Sequence, residues 1–241
     1  PEFGNPTYPS VTAKLQLLKD EGLMNYKMNR AIDYVFANYK SFTDENILEH
    51  LGLAAQRPAD ILEDAGDIGR TIHDCRERYF KEWLKIDKKP ELHPLDFTEA
   101  IEREDIRAIS ALRAFDNFIK DYHYQPVSCE LYVYSHKLKC AGTLDDIGLM
   151  NWIKRQGDQL CPHTESIIEE SKNKITCIAC GHQTSAKFVL VLMDVKTSNR
   201  FKDHYFFQVG LYYKFFYELT GLRPEKVFIL KLDKENGTYK L

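Results

Sequence analysis

The spacing of apolar residues divides the chain into a helical first part and a mixed second part. Over 11–85, apolar residues recur every three or four positions, which predicts about four helices. Two prolines mark 88–94 as a loop. A further amphipathic helix is predicted over 105–122. We therefore expect the N-terminal region to consist of helices.

The second part of the chain predicts strands around one long helix. Two strands are expected over 127–134 and 138–150, joined by a short turn. The run 188–193 is apolar without interruption, as in a central strand covered on both faces. A helix over 203–219 and a last strand over 226–232 follow. This order of helix, three strands, helix and strand indicates an α/β fold.

Composition indicates the size of the domain and the cellular location of the protein. With 241 residues, of which 44% are hydrophobic, the chain can bury a full core in one large domain or two small ones. We see neither a signal peptide nor the run of about 18 apolar residues that spans a bilayer. We therefore expect no membrane contact and a cytoplasmic location. The net charge of −3 does not favour nucleic acid as a partner, although a local basic groove can coexist with an acidic total.

The end of the apolar run carries the candidate chemistry. Alternate side chains of a strand share a face, so Asp194 and Lys196 point the same way. Asp145 lies near the end of the preceding strand, and the two acids converge if these strands are neighbours. Carboxylates are ligands that Mg²⁺ and Mn²⁺ prefer. Together with the ammonium of Lys196, such a site is suited to hydrolysis of a phosphodiester.

Several motifs resemble those of a known nuclease group. The active-site motifs of RecB-like exonucleases, in the PD-(D/E)XK nuclease superfamily, are similar to Gly142-Thr143-Leu144-Asp145, Asp194-Val195-Lys196-Thr197 and Gln208-x-x-x-Tyr212. N-terminal motifs of phage and mitochondrial genome-maintenance exonucleases resemble Tyr8-Pro9-Ser10-Val11-Thr12 and Gly69-Arg70-Thr71-Ile72-His73. One departure is Arg70, where the group commonly has threonine.

The resemblance implies a fold and a domain organisation. The fold is the restriction-endonuclease-like α/β core, in which helices flank a mixed central sheet. The nuclease core then spans 101–241, and an N-terminal helical region, 1–100, packs on it and contributes His73.

The resemblance also implies a set of site residues. His73 becomes a ligand of the catalytic Mg²⁺ or Mn²⁺ beside Asp145 and Asp194, and the backbone carbonyl of Val195 becomes a fourth. Gln208 and Tyr212, one helical turn apart, are expected to contact substrate or to brace Lys196. Glu130, which lies 15 positions before Asp145, receives a supporting role.

The segment between the two acids predicts a second metal. Asp194 follows Asp145 by 49 positions, more than a hairpin requires, so 151–186 is interpreted as an insert. Its Cys-x-His and Cys-x-x-Cys-Gly pairs are typical of a structural zinc ribbon. The preferred Zn²⁺ ligands are Cys161, His163, Cys177 and Cys180, with His182 as a substitute for His163. A polar loop with free cysteines is the alternative.

The expected function is the trimming of DNA from an end, on single-stranded or end-containing duplex substrates, in replication, recombination or repair. A bacterial or phage-infected cell is the expected setting. A structure-specific endonuclease would use the same metal chemistry, and a binding module without cleavage would keep the same scaffold. Protein partners are not predicted. The aromatic run 205–217 is interpreted as helix core, with a base-stacking platform as the alternative.

Overall fold

The computed structural model describes residues 8–15, 21–86, 105–151, 166–169, 174–181 and 183–241. The chain forms two compact units, one made of Pro1–Leu15 with Thr71–Leu241 and the other of Gln16–Arg70. The residues expected to form the catalytic site all belong to the first unit.

The helices follow the apolar periodicity. They are α1 (Val11–Leu15), α2 (Glu21–Asn38), a short 3₁₀ helix (Tyr39–Ser41), α3 (Ile47–Ile86), α4 (Ile106–Tyr122) and α5 (Asp203–Thr220). Helix α3 is longer than expected because it continues for 40 residues through Pro58, which is buried on the same face as Ala54. Among the described helices, none is both long and apolar enough to cross a membrane.

The strands form two sheets. A five-stranded sheet has the order β1-β2-β6-β7-β8 and a three-stranded sheet the order β3-β4-β5. Their bounds are β1 (Gln125–Ser135), β2 (Cys140–Asn151), β3 (Ser166–Glu169), β4 (Lys174–Cys177), β5 (Gln183–Ser185), β6 (Phe188–Lys196), β7 (Lys226–Leu232) and β8 (Tyr239–Lys240). Strands β6 and β7 are parallel, and the other pairs of the large sheet are antiparallel. Helix α5 connects the parallel pair, since such strands need a crossover. The expected α/β class with a mixed sheet is confirmed.

Helices cover both faces of the large sheet. Ile229 of β7 packs in one buried cluster with Phe215 and Phe216 of α5. Its neighbour Phe228 contacts the ring of Phe118 in α4, with ring centres 6.1 Å apart. Successive residues of a strand point to opposite faces, so α5 and α4 lie on opposite sides of the sheet. The central strand β6 is buried between them, as its apolar run predicts.

Two glycines of this unit should respond oppositely to alanine. A Cβ at Gly210 in α5 meets open space, so Gly210→Ala should raise the free energy of unfolding by about 0.5–1 kcal/mol through helix propensity. At Gly148 in β2, a Cβ would lie 2.6 Å from the backbone oxygen of Gln125 and against the ring of Tyr124. Gly148→Ala should therefore lower the free energy of unfolding by about 1–3 kcal/mol. Urea denaturation measures both, and equal shifts for the two variants would contradict the packing described.

Candidate active site

The end of β6 pairs with the middle of β2, and this brings two acids together. Asp145 lies in the middle of β2 and not near its end, where the sequence predicts it, because β2 runs from Cys140 to Asn151. Asp146 pairs with Met193 in the antiparallel register, which puts Asp145 and Asp194 at the next positions of the two strands. Oδ2 of Asp145 accepts a 2.7 Å hydrogen bond from the backbone N–H of Val195. Asp145 is thereby held against the end of β6.

Two further elements of the same unit, α3 and β1, meet β2 at Asp145. Among the described residues, the group that could hold a metal ion is His73 on α3, Glu130 on β1 and Asp145 on β2, whose ligand atoms all lie within 4.8 Å of one another. Nδ1 of His73 lies 4.0 Å from Oε1 of Glu130. One imidazole and two carboxylates form a donor set suited to Mn²⁺ or Mg²⁺.

The backbone of Glu130 departs from regular strand geometry. Its φ is +49°, in the left-handed region that residues other than glycine rarely adopt. Its neighbours Cys129 and Leu131 pair with Asp146 and Leu144, whereas Glu130 falls between these pairs. Such a conformation costs on the order of 1–3 kcal/mol and persists only where its surroundings hold it. Glu130, expected to have a supporting role, adopts this conformation within the candidate metal cluster.

Arg76 neutralises part of the cluster and was not predicted from the sequence. It is fully buried, and its Nη2 lies 2.9 Å from Oε1 of Glu130 and 3.2 Å from Nδ1 of His73. Its Nη1 forms an ion pair with Asp146, which is also fully buried. Burial would lower the pKa of Arg76, but Asp146, Asp145 and Glu130 raise it, so the guanidinium stays charged.

A signal for Arg76 was present in the sequence. It follows Ile72 by four positions and precedes Phe80 by four, so a charged residue stands in the buried stripe of a helix. Because a buried charge requires an opposite charge, the arginine at this position predicts an acidic partner elsewhere in the chain. The pattern does not say which acid, and Asp146 lies 70 positions away.

Asp194 has the least satisfied carboxylate of the site. It is 0% exposed; its Oδ2 lies 2.7 Å from Nζ of Lys196, and its Oδ1 has no hydrogen-bond partner among the described residues. Burial and the charge of Asp145 raise the pKa of Asp194 to about 6, against the opposing effects of Lys196 and His73. An oxygen left in this state is suited to a cation.

The electrostatics of Asp145 differ from those of Asp194. Burial would raise the pKa of Asp145, but His73, Arg76 and Lys196, together with the Val195 N–H, outweigh burial and lower it. Neighbouring carboxylates whose pKa values move apart repel each other when both are ionised. A bound divalent cation would offset that repulsion.

The formal charges of the site also fit a divalent cation. Its carboxylates are Glu130, Asp145, Asp146 and Asp194, which carry −4 when ionised, and Arg76 and Lys196 return +2. These six groups together carry −2. One Mg²⁺ or Mn²⁺ would balance it.

Helix α5 braces the lysine side of the site. Nζ of Lys196 lies 5.3 Å from the ring centre of Tyr205, a cation–π contact that the motifs did not indicate. Nε2 of Gln208 donates a 3.0 Å hydrogen bond to Oη of Tyr212, which is buried. A Cβ at Gly142 would lie 2.6 Å from the Tyr212 ring, so this glycine permits the approach of α5 to β2. Burial favours a bracing role for Tyr212 over contact with substrate.

The structure describes part of the predicted zinc site. Cys177 ends β4, and Cys180 lies in the turn that follows. The Gly181 N–H donates a 2.9 Å hydrogen bond to the carbonyl of Cys177 and closes this turn. Cys161, His163 and His182 lie outside the described residues, so the zinc site stays a prediction, as does the Val195 carbonyl as a metal ligand.

Comparison with models of known protein families and with curated proteins finds no match to this chain. The site must therefore be interpreted from its own geometry.

Proposed function

We propose that this chain is a nuclease of the PD-(D/E)XK kind, which hydrolyses phosphodiester bonds of DNA with the help of Mg²⁺ or Mn²⁺. The observation that supports it most is the meeting of Asp145, in the middle of β2, with Asp194, near the end of β6, where Nζ of Lys196 lies 2.7 Å from Oδ2 of Asp194. His73 and Glu130 reach the same point from α3 and β1.

The residues of the site divide into metal ligands and a lysine that stabilises negative charge. His73, Glu130 and Asp145, whose ligand atoms lie together, are the side chains that would hold the ion. Asp194 lies outside that group and is proposed as a further ligand, because it stands opposite Asp145 on the neighbouring strand. When bound, the ion would lower the pKa of a water molecule and offset charge on the phosphate oxygens. Burial would lower the pKa of Lys196, but Asp194 and Asp145 raise it. Lys196 therefore stays protonated at neutral pH and acts by stabilising negative charge, not as a general base.

The substrate side of the proposal rests on the motifs. Resemblance to RecB-like exonucleases favours DNA as the substrate, attack from a free end, and a role in replication, recombination or repair in a bacterial or phage-infected cell. A Zn²⁺ ion held by Cys161, His163, Cys177 and Cys180 would stabilise the insert. Cys177 and Cys180 are joined by a tight turn, which is compatible with one half of such a site.

A cleavage assay tests the function. Labelled single-stranded and duplex DNA, each open, 5′-blocked, 3′-blocked or circular, is incubated with Mg²⁺ or Mn²⁺. We expect the open substrates to be degraded, the circular ones to resist, and one type of block to protect. Lys196→Ala should lower the rate by about 10²–10³-fold, because a donor to the developing charge is lost.

The matched control is Lys214→Ala, which removes a partly exposed lysine of α5 whose pairing with Glu218 lies outside the site. It should cut DNA at the rate of the wild type. Cleavage of circles as fast as open strands would make the protein an endonuclease. Intact DNA under all conditions would refute the nuclease and leave a binding module.

A further inference from the structure

Helix α5 exposes aromatic rings at its start. Phe206 is 57% exposed and Phe207 58%, and Phe201 just before the helix is 37% exposed. The expectation that the aromatic run is helix core is therefore wrong for Phe206 and Phe207. The buried stripe of α5 is formed at three- and four-residue spacing by Val209, Tyr212 and Phe216, and Phe206 and Phe207 fall outside it.

Two of these rings form a pair at the edge of the candidate site. The ring centres of Phe201 and Phe206 are 6.1 Å apart. Nζ of Lys231 lies 5.8 Å from the ring centre of Phe201 and donates a 2.7 Å hydrogen bond to the carbonyl of Asn199. Lys231 is the register partner of Lys196 on β7, so about 4.8 Å of strand spacing separates the two backbones. The pair thus lies beside the lysine of the site.

The charge around the pair is positive. From 196 to 206 the chain carries Lys196, Arg200 and Lys202 against one acidic residue, Asp203, and Lys231 adds a fourth positive charge from β7. Exposed aromatic rings among lysine and arginine are the arrangement that binds single-stranded nucleic acid, in which the cations contact phosphates and the rings stack on bases. Bases of a duplex are already stacked on their neighbours, so unpaired bases are the fitting occupant.

We propose that Phe201 and Phe206 form a stacking platform for an unpaired base of single-stranded DNA next to the cleavage site. The platform rests on the proposed function, which it deepens by selecting the unpaired strand as the substrate. Phe207 is matched to Phe206 in type and exposure, but it lies about 100° further around the helix, and the ring contact of Phe201 is with Phe206.

Binding without cleavage tests the platform. Fluorescence anisotropy of a labelled oligothymidylate, in EDTA, gives the Kd of the full chain and its variants. Phe206→Ala should raise the Kd about 5- to 150-fold, the effect of losing one stacked base. Phe206→Tyr should keep wild-type affinity, because the ring remains. Phe207→Ala should change the Kd for the oligothymidylate by less than about twofold. Phe206→Ala should likewise change the Kd for a blunt duplex of equal length by less than about twofold.

Several results would overturn the platform. These are wild-type affinity in Phe206→Ala, an equal loss in Phe207→Ala, or no binding of oligothymidylate by the wild type. A lower melting temperature or a changed oligomeric state of Phe206→Ala, without loss of affinity, would instead mean that another part of the chain or a second copy covers the ring. Failure of the proposed function looks different, since the binding pattern would hold while no DNA is cut with Mg²⁺ or Mn²⁺.

Discussion

Replacement of Arg76 by methionine should destabilise the protein by about 3–5 kcal/mol, although no exposed contact is lost. Arg76 is fully buried between Glu130 and the fully buried Asp146. Methionine fills a similar volume but leaves both carboxylates without their cation, and an unpaired buried charge costs far more than the pair contributed. Urea denaturation in EDTA measures the loss.

An exposed ion pair provides the control. Nζ of Lys214 lies 2.6 Å from Oε1 of Glu218, closer than the 2.9 Å between Arg76 and Glu130, but both side chains of this pair reach solvent. Lys214→Met should change stability by less than about 1 kcal/mol. Addition of Asp146→Asn to Arg76→Met should recover part of the stability, because one of the two abandoned charges disappears. If Arg76→Met is as mild as Lys214→Met, Arg76 does not neutralise the buried acids.

The buried ion pair of Arg76 and Asp146 also marks the limit of what the sequence could predict. Elements set by local pattern were predicted closely: β7 has the expected bounds, and α5 ends at Gly221, whose φ of +71° suits a helix C-cap. The alternation that put Asp194 and Lys196 on one face is equally local. Arg76 and Asp146, by contrast, meet only through the tertiary fold, so periodicity could signal a buried charge but not its partner.

The backbone conformation of Glu130 and the exposure of Phe206 escaped prediction for other reasons. The positive φ of Glu130 occurs together with the pairing of its neighbours and the contact with Arg76, and its residue type does not predict it, since glycine or asparagine is usual there. Phe206 is apolar, so composition assigns it to the core, whereas its angle around α5 leaves it exposed. Residues that violate local preference in this way are common at functional sites.

Replacement of Asp194 by asparagine should remove activity and at the same time stabilise the metal-free protein. The ionised carboxylate is 0% exposed, faces the charge of Asp145 and has an oxygen without a partner. Because the pKa of Asp194 is raised from 3.8 to about 6, stability falls as the pH rises from about 3.8 to about 6, and the full loss is present above pH 6. At pH 7.5 the neutral amide should therefore raise the free energy of unfolding by about 1–3 kcal/mol. Cleavage should fall on the order of 10³-fold, because a metal ligand is lost.

Added Mn²⁺ separates a metal ligand from a merely buried acid. At 100 times its Kd, Mn²⁺ should stabilise the wild type by about 2.7 kcal/mol and Asp194→Asn by much less. The control Asp67→Asn removes an exposed carboxylate paired with Arg70, and it should change neither the response to Mn²⁺ nor cleavage. An Asp194→Asn protein that gains stability from Mn²⁺ like the wild type would exclude Asp194 as a ligand. A stable, inactive and metal-insensitive variant would mean that the site is held at a cost to the fold, and that a divalent cation repays part of this cost when it binds.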